Sequence, residues 1–263
     1  MTRTLQATIA ICLLLLLVAG CGAPPEAAKP ESAPPAPAPA AKKPEAASTT
    51  FTVASINLAT LNRRIERADI DAFCRVVQRE KPDVVAVQGM ARYPGVLTRI
   101  DPYPEIATGT GMRSVFGEMT TLSGRQTGNA LYSALPIHSH ETRPYPIVSL
   151  GFEAALVGLI DAGTREVAVV STLYPSSAKA ADQASCDAFL ERLRGAYDDA
   201  PVIVAGNLPE PPFGADPYKV ERAGSLRTWY STDGLRPAGT RSVTTELGTL
   251  LVTQFRVFAK AQR

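Results

Sequence analysis

Histidine and cysteine, two side chains that often do chemistry, are scarce in this 263-residue chain, and their placement narrows the mechanisms open to it. The two histidines, His138 and His140, stand two residues apart, so no reaction that needs imidazoles from separate parts of the chain has a place here. Following the string LPI, they read as surface histidines of a loop. The alternative is a metal pair, because residues at i and i+2 of a strand project to one face. The four cysteines, Cys12, Cys21, Cys74 and Cys186, form no CxxC pair, and neither GxxxxGK[ST] nor HExxH occurs. Zinc-finger, phosphate-loop and zincin chemistry therefore have no support. With 27 Lys+Arg against 25 Asp+Glu the net charge is +2, and aromatics make up 6%. That balance supplies neither the basic stripe nor the stacking platform of a nucleic-acid binder.

The elements that would position any site alternate between strand and helix. FTVASINL at 51–58 is β-rich, and VVAV at 84–87 is a continuous apolar run fit for a strand buried on both faces. Between them Ile70, Phe73, Val76 and Val77 recur at helical spacing, with Asp69 as predicted N-cap and Pro82 as the stop. Further strands are predicted at 129–135, 154–160, 166–173, 201–206, near Trp229 and at 250–258, with a helix at 179–194. Trp229 reads as core packing in a late strand. Cys74 and Cys186 both fall on predicted helices. A disulfide and two buried free thiols are both compatible with that placement.

The N-terminus is organised differently. Residues 1–20 combine a basic start (Arg3) with an apolar stretch from Ile9 to Ala19, too short for a membrane span of about 20 residues, and then Gly20 and Cys21. LVAGC resembles the lipobox of bacterial lipoproteins, which implies cleavage before Cys21 and a lipid on its sulfur, with plain secretion as the alternative. Lipidation would place the protein at the cell envelope, held to a membrane and outside the cytoplasm; several acyl chains hold far more firmly than one. Residues 22–50 contain 10 Ala and 8 Pro and balanced charges, the composition of an extended spacer rather than a core. At about 3.1 Å per residue such a spacer reaches roughly 90 Å. The expected organisation is a signal peptide at 1–20, the lipidated Cys21 and tether at 21–50, and one folded domain at 51–263.

Along that domain the strings TVASINL, KPDVVAVQG, TGNALYSALPI, EAALVGLIDAGTREVAVVSTLYP, PVIVAGNLPEPP and YSTDGLRP with LLVTQFRV resemble, in order, those of the endonuclease/exonuclease/phosphatase superfamily. The resemblance implies the DNase I-like fold, a four-layer α/β sandwich of two packed mixed β-sheets flanked by helices, with the site between the sheets at one end. It also implies Mg²⁺ held by an Asn after the first strand and a Glu after the second, since Mg²⁺ takes hard oxygen ligands. A His–Asp pair would handle the proton of the attacking water.

Carried over residue by residue, the site is largely missing. Asn57 matches the family Asn, and Asn129 lies in the matching TGNALYS string. Gly89 stands where the metal-binding Glu belongs, and Gln88, its neighbour on a strand, is expected to face the other way. Leu173 replaces the His of the THL string. Asn207 and Pro209 replace the Asp and Asn of the GDFN string, and Arg227 falls at the Asp of the IDY string. The terminal SDH tripeptide is either deleted or replaced by Thr245-Glu246-Leu247. No catalytic residue is intact and no metal or other cofactor is expected.

The predicted function is accordingly a binding or scaffolding pseudoenzyme on a lipid tether, with a phosphate-bearing or protein ligand of the envelope. The exchange of carboxylates for Gly, Asn and Arg227 makes an anion more welcome in the cleft, and Arg113 is a further candidate for lining it. The alternative is an active Mg²⁺-dependent phosphodiesterase, phosphatase or nuclease with a site rebuilt from Glu118, Glu153 or Glu210.

Overall fold

The computed structural model describes residues 47–61, 63–94, 99–146, 154–174, 180–197, 199–208 and 218–260. In chain order the elements are β1 (Ser48–Asn57), α1 (Arg67–Glu80), β2 (Val84–Arg92), α2 (Pro102–Thr110), β3 (Arg113–Leu122), β4 (Arg125–Ser133) and β5 (Ile137–Pro144). There follow β6 (Ala154–Asp161), β7 (Glu166–Leu173), α3 (Ala180–Gly195), β8 (Val202–Asn207), β9 (Tyr218–Ala223), β10 (Leu226–Ser231), β11 (Leu235–Thr245) and β12 (Gly248–Phe258).

The strands form two six-stranded sheets, ordered β11-β12-β1-β2-β4-β3 and β5-β6-β7-β8-β10-β9. Each sheet contains a single parallel pair, β1 with β2 and β7 with β8, and α1 or α3 makes the crossover. A parallel pair requires such a connection. Strand alternation then sorts the core into layers. Phe51, Val53, Val84 and Ala86 face Val167, Val169, Ile203 and Ala205 between the sheets. Ile56, Val85 and Val87 face α1 through Ile70, Phe73 and Val77 on one outer side. Val170, Val202, Val204 and Trp229 pack with Phe189, Leu190 and Leu193 of α3 on the other. The result is the four-layer sandwich of two mixed sheets that the resemblance implied.

Several local expectations change. Asp69 is not the N-cap of α1: Glu66 is, and the Asp69 carboxylate accepts from the Glu66 backbone N–H at 2.9 Å, as in the second half of a capping box. Residues 48–50, counted with the tether, belong to β1, where Ser48 pairs with Phe258. The short helix α2 was not predicted, although Asp101 caps it, Pro102 opens it and Gly111 closes it in the left-handed region. His138 and His140 lie on the strand β5 rather than in a loop. Cys74 and Cys186 are free and buried, one in each outer layer, with both sheets between them, so no disulfide joins them.

Candidate functional site

The ends of β1, β2, β7 and β8 come together at one end of the sandwich, and Gln88 ties the two sheets there. Its side chain is fully buried and donates to Ser171 Oγ at 3.1 Å and to the Ala205 carbonyl at 3.2 Å, both on the opposite sheet. Ser171 Oγ in turn donates to the Val87 carbonyl at 3.1 Å, and Ser55 Oγ donates to Gln88 Oε1 at 3.4 Å. Low surrounding dielectric strengthens such a network and makes any missing member costly. The floor of the space between the sheets is therefore a neutral, mutually satisfied set of amide and hydroxyl groups.

Gly89, next along β2, sits at a bulge, where the register with β4 shifts between Val87 and Met90. Its φ is +67°, and a Cβ there would lie 2.6 to 2.7 Å from Cβ, N and Cα of Ala59. No side chain fits without moving the turn after β1. The backbone N–H of Gly89 points to Oδ1 of Asn129 at 3.4 Å, while Nδ2 of the same buried amide donates to the Ala154 carbonyl at 2.7 Å. Asn129 thus joins β4 to β6 across the sheets. Asn57, half-buried, accepts the Ala59 backbone N–H at 2.8 Å, an Asx-turn that engages the oxygen a metal would need.

On the second sheet Leu173 and Asn207 are register partners at the ends of β7 and β8, both half-buried, so they sit side by side. Arg227 does not join them, which corrects its assignment to the cleft. It lies two residues from Trp229 on the regular strand β10 and so shares the outer, α3-side face, where its guanidinium donates to the Leu208 carbonyl. The between-sheet position belongs to its neighbour Leu226, so the displacement is one residue of strand register. Pro209, Cys21, Glu153 and Glu210 lie outside the described residues. Thr245 to Gly248 form the turn between β11 and β12 at this same end, contributing a buried Leu247 and the Glu246 backbone.

Other candidates lie elsewhere. Arg113 pairs with Ser133 at the opposite end of β4 and cannot line the cleft. Exposed His138 contacts Glu166 at 2.5 Å, with Asp161 4.0 Å away. A register shift between Ile137 and Ser139 interrupts the regular projection of the histidines. Glu118, exposed on β3, accepts from Thr121 and from Gln126. The described residues at the site end do not fit a divalent cation: one amide oxygen is engaged, the next position has no side chain, and the opposing pair is Leu173 and Asn207. Among the described residues no group of three or more His, Cys, Asp or Glu is placed to hold a metal ion.

Beside this closed floor, on the α1/α2 side of the first sheet, opens a pocket of about 440 Å³. Its described lining comprises Leu58, Leu61, Ile65, Gly89, Ala91, Pro102 and Tyr93 together with Arg63, Arg64, Arg99 and Arg125. The Arg63 guanidinium is held by both Asp69 oxygens, at 2.5 and 2.8 Å, and donates to the Glu246 carbonyl at 3.1 Å. Arg63 in turn holds the Asp69 carboxyl below its usual range. The Arg99 guanidinium stacks 5.0 Å from the centre of the Tyr93 ring. These arginines come from the turn after β1, the segment before α2 and the start of β4. Three separate segments supply them, so no contiguous basic string announces the pocket.

Fold and site end together define a class. Residues 54–245 match the family model described as Endonuclease/Exonuclease/phosphatase family, and the chain belongs to that family. Its fold is shared with the endonuclease/exonuclease/phosphatase from Beutenbergia cavernae, which is 14% identical with a TM-score of 0.60, covering 80% of this chain and 72% of that one. The Bacteroides vulgatus protein of the same description has a TM-score of 0.60 at 9% identity, over 80% of this chain and 99% of its own. The human Nocturnin catalytic domain, whose structure holds a sulfate anion, has a TM-score of 0.59 at 14% identity, over 79% of this chain and 93% of its own. No curated protein matches in sequence.

Proposed function

We propose that the protein is a lipoprotein of the cell envelope, anchored through Cys21, whose family domain binds a ligand without hydrolysing it. The observation that carries this reading is Gly89. It stands at the position of the family's charged metal ligand, in a left-handed conformation with the Ala59 backbone where a side chain would go. The neighbouring positions support it: Asn57 is turned to its own backbone, Gln88 is consumed by the bridge between sheets, and Leu173 replaces an imidazole. A single general acid or base is worth about 10²- to 10⁴-fold in rate. With the charged ligand absent as well, none of the described residues at the site end is placed to activate water.

The full chain in detergent micelles, assayed with phosphodiester, phosphomonoester and sphingomyelin substrates in Mg²⁺ and Mn²⁺, is expected to show no turnover. Metal-dependent turnover that Asn207→Ala abolishes would overturn the reading and restore the active alternative. Anchoring is tested separately by metabolic labelling with a radioactive fatty acid: the label is expected on the wild-type chain and absent from Cys21→Ala.

A further inference from the structure

We propose that Thr228 and Thr253 hold a single buried water molecule between the sheets, at a binding site separate from the Gln88 bridge and from the arginine-lined pocket.

Strand alternation puts both hydroxyls in the layer between the sheets. On β10, Leu226 and Tyr230 belong to that layer, so Thr228, midway between them, faces it as well. On β12, Phe255 and Val257 belong to it, and Thr253 is the next residue of the same face. The two strands come from opposite sheets and meet there, with the ring centres of Tyr230 and Phe255 5.1 Å apart. Thr228 and Thr253 each stand two residues from that contact, both on the side of the site end, which brings them into one neighbourhood. Thr228 is also the register partner of Ala205, whose carbonyl accepts from Gln88.

Both threonines are fully buried, and neither Oγ1 has a hydrogen-bond partner among the described residues. A hydroxyl taken out of water without a partner is costly, so such groups are rare in folded chains. Two of them in one layer, on strands that meet across it, point to one shared partner. Their neighbours along the ladders do not supply it, since Val53 beside Thr253 and Ala205 beside Thr228 are apolar. Stacked sheets lie about 10 Å apart, which leaves two short threonine side chains apart and gives room for a water between them. Water fits the donor and acceptor pattern, because each hydroxyl donates one hydrogen and accepts others, and a buried water needs about two to four polar partners. A divalent cation does not fit, since two neutral hydroxyls supply neither the charge nor the number of oxygens it takes. Gln88 ties β2 to β7 and β8. The water makes a second polar link, between β12 and β10, each one strand in from the edge of its sheet.

The test uses the full chain in detergent micelles and two substitutions that replace a hydroxyl by a methyl group, Thr228→Val and Thr253→Val. Each single variant is expected to lower the melting temperature by about 2 to 4 °C, the shift that one hydrogen bond makes in a domain of this size. The double variant is expected to fall by less than the sum of the two drops, because the second substitution removes a group that the first has already deprived of its water. Magnetic relaxation dispersion of the solvent counts water molecules held inside the protein, and is expected to find one fewer in the double variant than in the wild type. This measurement needs neither single variant, and the double variant leaves no hydroxyl at either position. The proposal is overturned if either single variant leaves the melting temperature unchanged or raises it, as removal of an unpaired hydroxyl would. It is overturned equally if the two drops add, or if the number of held waters is the same in the double variant and the wild type.

Discussion

The space between the sheets and the pocket beside it lie at the same end of the molecule and differ in almost every property that matters to a ligand. The first is closed by Gln88, Ser171, Ser55 and the Ala205 carbonyl, all uncharged, with each amide hydrogen of Gln88 given a partner. The second is open, rimmed by arginines, and built from the turn after β1 and the segment before α2 together with the ends of β2 and β4. Uncharged groups that satisfy one another rigidify a fold, while exposed charges over an apolar wall wait for a partner.

The comparison is broken most severely by Gly89→Glu, which places there the residue that the family resemblance implies. A non-glycine residue at positive φ costs about 1 to 3 kcal/mol, and the overlap with Ala59 adds to it. The variant is expected to lose about 3 kcal/mol or more in urea unfolding without gaining metal-dependent turnover. Gln88→Met keeps the volume and removes the bridge. It leaves the Ala205 carbonyl without this donor, for an expected loss of about 1 to 3 kcal/mol, at acid and at neutral pH alike.

Arg63→Gln sharpens the contrast because its effect should depend on pH. Arg63 lowers the pKa of Asp69, so the folded chain binds fewer protons there than the unfolded one. The stability this pair contributes is present above the ordinary aspartate pKa and is lost as pH falls through the lowered folded value. The Arg63 side chain is exposed, so the loss is expected to be small at pH 7 and smaller still in strong acid, where only the bond to the Glu246 carbonyl remains, by unfolding titrations at both. The smallest effect concerns the thiols: reductant is expected to leave the melting temperature unchanged, since Cys74 and Cys186 are free and separated by both sheets.

The layers were legible because strand and helix periods differ and because the family strings come in order; FTVASINL, VVAV and EVAVVSTL each became the strand their apolar pattern specified. β3, β5, β9 and β11 were missed. β3, β5 and β11 are mostly exposed or half-buried, so tertiary pairing rather than hydrophobic pattern makes them strands. Gly89 was readable as a substitution, but its positive φ was not, because a bulge depends on the partner strand. Arg227 shows the limit of alignment by motif, since a shift of one residue reverses a side chain's face. The arginine pocket was invisible for a different reason: Arg63, Arg99 and Arg125 are dozens of residues apart, and only the fold makes them neighbours.

β1 enters the first sheet at Ser48 and takes a central position, flanked by β12 and β2. A pull on the chain ahead of Ser48, directed along the strand, is shared among the eight register pairs from Ser48 to Ser55 with β12, loaded in shear rather than unzipped one after another. Forced unfolding is set by the barrier to the first rupture. For a domain held through its N-terminal side, that attachment puts the strain on a strand paired along both edges.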